Sequence, residues 1–93
     1  MREKECIVLI IYDIVDNKKR NKMVKCLERY GVRVQKSAFE ALLGRKKYDR
    51  LIDESHRIID PATDSLRIYI LDSIVNVYTW GLGERKEEDC VIL

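Results

Sequence analysis

The chain has 93 residues, of which 46% are hydrophobic and 37% charged, a balance that suits one folded domain and argues against disorder. No apolar run approaches the roughly 18 residues that span a bilayer, and the charged residues 1–5 do not resemble a signal peptide, so we expect a cytoplasmic protein without membrane contact. The widely spaced Cys6, Cys26 and Cys90 form no CxxC pair, which is typical of reduced thiols and argues against a zinc site.

The net charge of +2 conceals an uneven distribution. Residues 18–50 carry twelve basic and three acidic side chains, whereas residues 51–93 carry four basic and nine acidic ones. A run of charge is usually no more than a solvated face. Because this excess recurs on two predicted helix starts and an intervening strand, it favours a folded electropositive surface that binds phosphates.

A β-branched apolar run over residues 7–12 predicts a first strand that is buried on both faces and ends at Asp13. Asp16 is the expected N-cap of the helix that follows, and Gly31 is its expected end. The apolar stripe of this helix consists of Met23, Val24, Leu27 and Tyr30.

Residues 32–43 have the composition of a strand, but the apolar positions change phase. They are even-numbered before Lys36 and odd-numbered after Ser37, which predicts a bulge, a kink or two short strands at this point. Gly44 is expected to start a second helix, which Pro61 closes because the residue before a proline disfavours helix. Its apolar stripe consists of Tyr48, Leu51, Ile52, Ser55 and Ile59.

Two further strands are predicted over residues 66–71 and 75–80, and a charged link over residues 84–89 leads to an apolar tail over residues 90–93. The tail is expected either to pair with a sheet edge, within its own subunit or a partner's, or to fray. The element order predicts a single α+β domain over residues 1–93. Its architecture is a ferredoxin-like sandwich, with two helices on one face of a mainly antiparallel sheet.

Asp13 is the main candidate for chemistry, because a carboxylate at the end of a buried strand is held firmly enough to bind Mg²⁺. The alternative is an ordinary turn or capping aspartate. One carboxylate makes a poor magnesium site, but a homodimer with both copies of Asp13 near its two-fold axis could hold the ion together with waters and a phosphate. Asp16 could support this site, although capping explains it more simply.

Other catalytic constellations are missing from the sequence. His56 is the only histidine, and there is no GxSxG, GxGxxG or P-loop motif. Tyr12 and Phe39 could stack on bases, but aromatic residues at strand positions more often belong to the core. A small RNA-recognition module is a further alternative, disfavoured because Tyr12 is the only aromatic residue of the first strand.

Several segments resemble the CRISPR-associated protein two family. They are residues 12–14 (YDI) at the end of the first strand, residues 16–20 (DNKKR) at the start of the helix, residues 30–40 (YGVRVQKSAFE), residues 81–83 (GLG) and residues 91–93 (VIL). The resemblance implies a ferredoxin-like homodimer whose C-terminal strand pairs with the other subunit's sheet.

The resemblance also implies a function and a site. Asp13 would be the magnesium ligand and catalytic residue of an endoribonuclease or DNA nuclease that hydrolyses phosphodiesters. Alternatively, the protein would be a non-catalytic scaffold that holds a DNA duplex for the CRISPR integrase subunit. Arg20 and Arg33 match basic positions of the family. The predicted nucleic-acid-binding set is Lys18, Lys19, Arg20, Arg33 and Lys36.

Overall fold

The computed structural model describes residues 4–71 and residue 81. Six elements follow one another along the chain: β1 (Cys6–Asp13), α1 (Asn17–Glu28), β2 (Val32–Gln35), β3 (Ala38–Leu43), α2 (Arg45–His56) and β4 (Ser65–Leu71). The predicted strand over residues 75–80, the link over residues 84–89 and the tail over residues 90–93 lie outside the described residues. In the part of the chain that is described, no helix is long and apolar enough to cross a membrane.

The four strands form one sheet in the order β2-β3-β1-β4. β1 is a central strand that pairs antiparallel with β3, where Ile10 lies opposite Phe39, and with β4, where Asp13 lies opposite Ser65. The run over residues 7–12 predicted a strand that is buried on both faces. β1 is central, but only its helix-facing side is buried throughout, since Ile11 on the other side is 38% exposed. This βαββαβ arrangement confirms the predicted α+β, ferredoxin-like fold.

Both helices pack on one face of the sheet, where alternate residues of β1 and β3 meet the apolar stripes of α1 and α2. Full burial of each such apolar side chain stabilises the fold by roughly 1.5–3 kcal/mol. The core consists of Val8, Ile10, Tyr12, Ile14, Met23, Leu27, Phe39, Ala41, Leu43 and Leu51. Because Tyr12 and Phe39 both belong to it, with exposed fractions of 2% and 0%, their interpretation as core residues is confirmed.

The opposite sheet face, which we call the open face, carries the other set of alternating residues. Leu42 lies on it opposite Ile7, and Tyr69 lies on it opposite Leu9. Ile11, Leu42 and Tyr69 remain 38%, 45% and 42% exposed. Asp13, two residues beyond Ile11 on β1, shares this face.

Two of the local predictions are confirmed at the level of hydrogen bonds and register. The carboxylate of Asp16 accepts a hydrogen bond from the Lys19 N–H at 2.9 Å and so caps α1. The phase change in residues 32–43 is a turn at Lys36 and Ser37 between β2 and β3, and the register also shifts between Arg33 and Gln35.

The predicted end of the second helix was wrong, since α2 stops at His56 and does not continue to Pro61. The Ile58 N–H bonds to the Ser55 carbonyl at 3.1 Å, which tightens the last turn. A separate turn then begins at Asp60, whose carbonyl accepts the Asp64 N–H at 2.8 Å. Ile58 and Ile59 still pack against the core from this connection.

Gly31 brings the chain from α1 into β2 at very close range to β3. Its N–H bonds to the Leu27 carbonyl at 3.0 Å, after α1 has already ended at Glu28. A Cβ atom on Gly31 would lie 2.8 Å from the Ala41 Cβ and closer still to the Glu40 carbonyl oxygen. The position therefore requires glycine because of this close approach to β3.

Glu54 of α2 ties the two helices together. One of its carboxylate oxygens accepts hydrogen bonds from the Tyr30 hydroxyl at 2.8 Å and from the Arg29 guanidinium at 2.6 Å. Burial, followed by the hydrogen bond to Glu54, raises the pKa of Tyr30 from its ordinary value of 10.0 to about 12. The protonated hydroxyl is thus part of the folded arrangement.

This arrangement predicts alkaline destabilisation. The unfolded chain loses the Tyr30 proton near pH 10, whereas the folded chain keeps it to about 12. The stability it contributes is therefore complete below pH 10 and is lost as the pH rises through 12. The melting temperature of the wild type should fall more steeply over this range than that of Tyr30→Phe. Parallel curves for the two proteins would show that the Tyr30–Glu54 contact contributes nothing.

Candidate active site at the end of the first strand

Asp13 is the last residue of β1, and its side chain is exposed. The preceding residue, Tyr12, faces the core, so the alternation of the strand directs Asp13 away from the helices. Asp13 borders an open depression of about 360 Å³, which we call the Asp13 depression. Its lining residues are Tyr12, Asp13, Ile14, Val15, Arg20, Arg33, Lys36 and Ser37.

Three cationic side chains line this depression together with the single carboxylate. They come from three different places: Arg20 from α1, Arg33 from β2, and Lys36 from the β2–β3 turn. Such an excess of positive charge around an accessible carboxylate suits a phosphate group that approaches Asp13.

The turn that carries Lys36 is held against the end of β1. The Lys36 carbonyl accepts hydrogen bonds from Arg33, at 3.2 Å from Nε and 2.7 Å from Nη2, and from the Tyr12 hydroxyl at 3.2 Å. The Tyr12 N–H also bonds to the Ser37 carbonyl at 3.1 Å. Burial raises the pKa of Tyr12 above its ordinary value, against the lowering effects of Arg33 and Arg20, so its hydroxyl remains a donor.

Arg20 was predicted to bind nucleic acid, and the structure gives its guanidinium local partners. Nε donates to the Ile14 carbonyl at 3.2 Å, Nη2 to the Val15 carbonyl at 3.1 Å, and Nη1 to the Asn17 side chain at 2.8 Å. A guanidinium has five N–H donors, so these bonds leave capacity for another acceptor. Arg20 therefore shapes the loop after Asp13 and also adds charge beside it.

Lys18 and Lys19 lie outside the Asp13 depression. Lys18 is exposed on the first turn of α1, and Lys19 lines a neighbouring depression together with Asp16, Asp60 and Asp64. Of the predicted binding set, the structure thus brings Arg20, Arg33 and Lys36 to Asp13, but not the two lysines.

The residues present fit a magnesium ion only in part. Within residues 4–71 and 81, no group of three or more His, Cys, Asp or Glu side chains could hold a metal ion. Among the residues that line the Asp13 depression, Asp13 supplies the one carboxylate. Because Mg²⁺ commonly takes one or two carboxylates and completes its shell with waters and phosphates, any further ligands would have to come from beyond the described residues.

Asp64 contacts the loop that follows Asp13, and no sequence pattern indicated this contact. Its carboxylate accepts a hydrogen bond from the Val15 N–H at 3.0 Å, across a separation of 49 residues. No motif joins the two positions, so only the folded chain reveals the contact.

Comparison with known proteins identifies the family. The sequence profile described as "CRISPR associated protein Cas2" matches residues 6–75. Over 77 residues the chain is 44% identical to the CRISPR-associated endoribonuclease Cas2 3 of Chloroflexus aurantiacus, an alignment that covers 81% of this chain and 83% of that relative. The chain belongs to the Cas2 family.

Solved structures agree with this membership. Streptococcus pyogenes Cas2 at pH 6.5 superimposes with a TM-score of 0.66 and 33% identity, covering 70% of this chain and 84% of that one. A chain of a partial Cas6-RT-Cas1–Cas2 complex gives a TM-score of 0.60 and 32% identity, covering 72% of this chain and 74% of that one. The resemblance predicted from the sequence is therefore confirmed, and the α+β fold agrees with that of solved Cas2 structures.

Proposed function

We propose that this Cas2-family protein acts in CRISPR adaptation in the cytoplasm, as a homodimer that binds nucleic acid and hydrolyses phosphodiesters with Asp13 as the catalytic residue. The observation that carries the proposal is the exposed Asp13 carboxylate in a depression lined by Arg20, Arg33 and Lys36. The endoribonuclease name of the 44% identical relative supports the same reaction class.

The open face supports the homodimer. Its exposed apolar side chains, Ile11, Leu42 and Tyr69, lie on the face that both described helices leave uncovered. Packing of this face against its copy across a two-fold axis would bury apolar area that the described helices leave exposed. Because Asp13 lies at the end of the same face, such a contact would bring two copies of Asp13 toward each other.

Two Asp13 carboxylates, together with waters and a substrate phosphate, would complete the oxygen shell of Mg²⁺. Bound magnesium would neutralise charge at the phosphate and make a coordinated water more acidic. Arg33 and Lys36 hold the phosphate at the mouth of the depression through charge. Tyr12 supports the β2–β3 turn, because its buried hydroxyl is already committed to the Lys36 carbonyl.

A non-catalytic role is the second candidate. The similarity to a chain of a solved Cas6-RT-Cas1–Cas2 complex supports assembly with an integrase subunit, for which this protein would hold a DNA duplex. The basic residues around Asp13, with Lys18 and Lys19 on the adjoining turn of α1, would serve this role equally well.

The test is incubation of labelled RNA and duplex DNA with the protein in Mg²⁺ or in EDTA, alongside duplex binding at several salt concentrations. We expect cleavage in Mg²⁺ alone. The logarithm of affinity should fall with the logarithm of salt by about 0.9 for each phosphate that is neutralised. Salt-dependent binding without cleavage would favour the scaffold. A duplex affinity that does not change with salt concentration would contradict the proposed basic interface in both roles.

A further inference from the structure

The loop that joins β1 to α1 is held from two sides by side chains of other elements. On one side, Arg20 of α1 donates to the Ile14 and Val15 carbonyls at 3.2 and 3.1 Å. On the other side, the Asp64 Oδ1 atom accepts the Val15 N–H at 3.0 Å. Both polar backbone groups of Val15 are therefore satisfied by side chains, immediately after Asp13 leaves the sheet.

Asp64 is itself firmly placed. Its second oxygen accepts the Asp60 N–H at 3.0 Å, and Oδ1 also accepts the Thr63 hydroxyl at 3.0 Å. These backbone hydrogen bonds, from Asp60 first and Val15 second, hold the pKa of Asp64 below its ordinary value. The carboxylate is therefore ionised at neutral pH and acts only as an acceptor.

Asp64 also stands next to the strand pair that contains Asp13. The residue that follows it, Ser65, begins β4 and lies directly opposite Asp13 in the sheet. The Asp64 carboxylate thus links the start of β4 to the loop after β1. This link lies next to the Asp13–Ser65 pair, which is the last pair between the two strands.

The loop after β1 depends on these hydrogen bonds because only one of its two apolar side chains is buried. Ile14 is 4% exposed and lies in the core, whereas Val15 is 68% exposed and gains little from packing. The hydrogen bonds from Arg20 and to Asp64 are the contacts that orient the Val15 peptide groups.

We infer that Asp64 is a positioning residue for the Asp13 site: by binding the Val15 N–H it fixes the loop that determines how Asp13 leaves β1. This inference rests on the proposed function of Asp13, but the hydrogen bond itself can be tested separately. Asp64 does not line the Asp13 depression, so it acts through the backbone and not on the substrate.

The chain offers a matched control in Asp60. It lies in the same turn and carries the same charge. Its carboxylate accepts the Ala62 N–H at 2.9 Å and, in the described part of the chain, makes no bond to the loop after β1. The contact from Asp60 to Asp64 uses the Asp60 backbone, so Asp60→Asn preserves it.

The first readout is amide hydrogen exchange measured by NMR on the full chain. Exchange of the Val15 amide should accelerate roughly tenfold in Asp64→Ala, the factor that corresponds to one lost hydrogen bond. It should be unchanged in Asp60→Asn and intermediate in Asp64→Asn, which keeps one acceptor oxygen. Unchanged Val15 exchange in Asp64→Ala would overturn the inference.

The second readout is Mg²⁺-dependent cleavage by the same variants. We expect kcat to fall roughly tenfold or more in Asp64→Ala, with KM and duplex affinity unchanged, as is found when residues that orient a metal ligand are removed. An equal loss in Asp60→Asn, or a loss confined to KM, would also overturn the inference. A wild-type protein that does not cleave would refute the proposed catalysis instead, and Val15 exchange would still decide whether Asp64 holds the loop.

Discussion

Replacement of Asp13 with asparagine should abolish Mg²⁺-dependent cleavage while leaving duplex binding intact. Asparagine keeps the size of the side chain and one oxygen acceptor, but it lacks the negative charge that makes a carboxylate the stronger ligand for Mg²⁺. The carboxylate is exposed at the end of β1, so the change leaves the core undisturbed. We expect the cleavage rate to fall at least about 100-fold, the usual scale for loss of one electrostatic group from an active site.

Duplex affinity should be equal or higher in the same variant. The Asp13 depression retains Arg20, Arg33 and Lys36, and the removal of the carboxylate makes it more positive. Gel-shift titration at fixed salt would measure this affinity beside the cleavage assay.

Asp53→Asn is the matched control for this experiment. Asp53 is exposed on α2, where it pairs with Arg57 at 3.0 Å and does not contact the Asp13 depression. Asp53→Asn removes the same charge as Asp13→Asn, and the cleavage rate of this variant should equal that of the wild type. Equal cleavage by Asp13→Asn and the wild type would mean that Asp13 is not the catalytic residue.

The largest effect on stability is expected for Phe39→Ala. Phe39 is 0% exposed, lies opposite Ile10 in the central strand pair, and has its ring centroid 6.4 Å from that of Tyr12. Truncation removes this apolar surface and leaves a cavity, which typically lowers the free energy of unfolding by about 3–5 kcal/mol. A small domain has only about 5–15 kcal/mol in total, so the variant should lose a large part of its stability.

Urea denaturation followed by circular dichroism would measure this loss. Phe39→Leu is the companion variant, since it keeps most of the apolar volume and should lose much less stability. A loss below about 1 kcal/mol for Phe39→Ala would contradict the placement of Phe39 at the centre of the core.

Local patterns were sufficient for most of the fold. The apolar run over residues 7–12 predicted a central strand, Asp16 predicted the cap of α1, and the phase change at Lys36 predicted the break between β2 and β3. Each of these signals is contained in a few adjacent residues, because strand alternation, helix periodicity and capping are properties of a short stretch of backbone. The family resemblance carried by residues 12–14 and 30–40 was also confirmed, by the sequence profile that matches residues 6–75.

Local patterns did not suffice where competing hydrogen bonds decide the outcome. The second helix was expected to continue to Pro61, but α2 stops at His56, where the Ile58 N–H bonds to the Ser55 carbonyl. Arg20 was predicted as a nucleic-acid contact from its charge and from its match to a basic position of the family. Its position against the Ile14 and Val15 carbonyls depends on where the loop folds back onto α1.

The composition of the site shows the same division. Sequence analysis identified Asp13 as the candidate and placed it at the end of a strand, but treated five basic residues as one set. Folding separates them, because Arg20, Arg33 and Lys36 converge on Asp13 from three elements while Lys18 and Lys19 lie elsewhere on α1. Asp64 joins the site through a contact across 49 residues. Such distant contacts carry no local signature, since they exist only once the sheet and helices have packed.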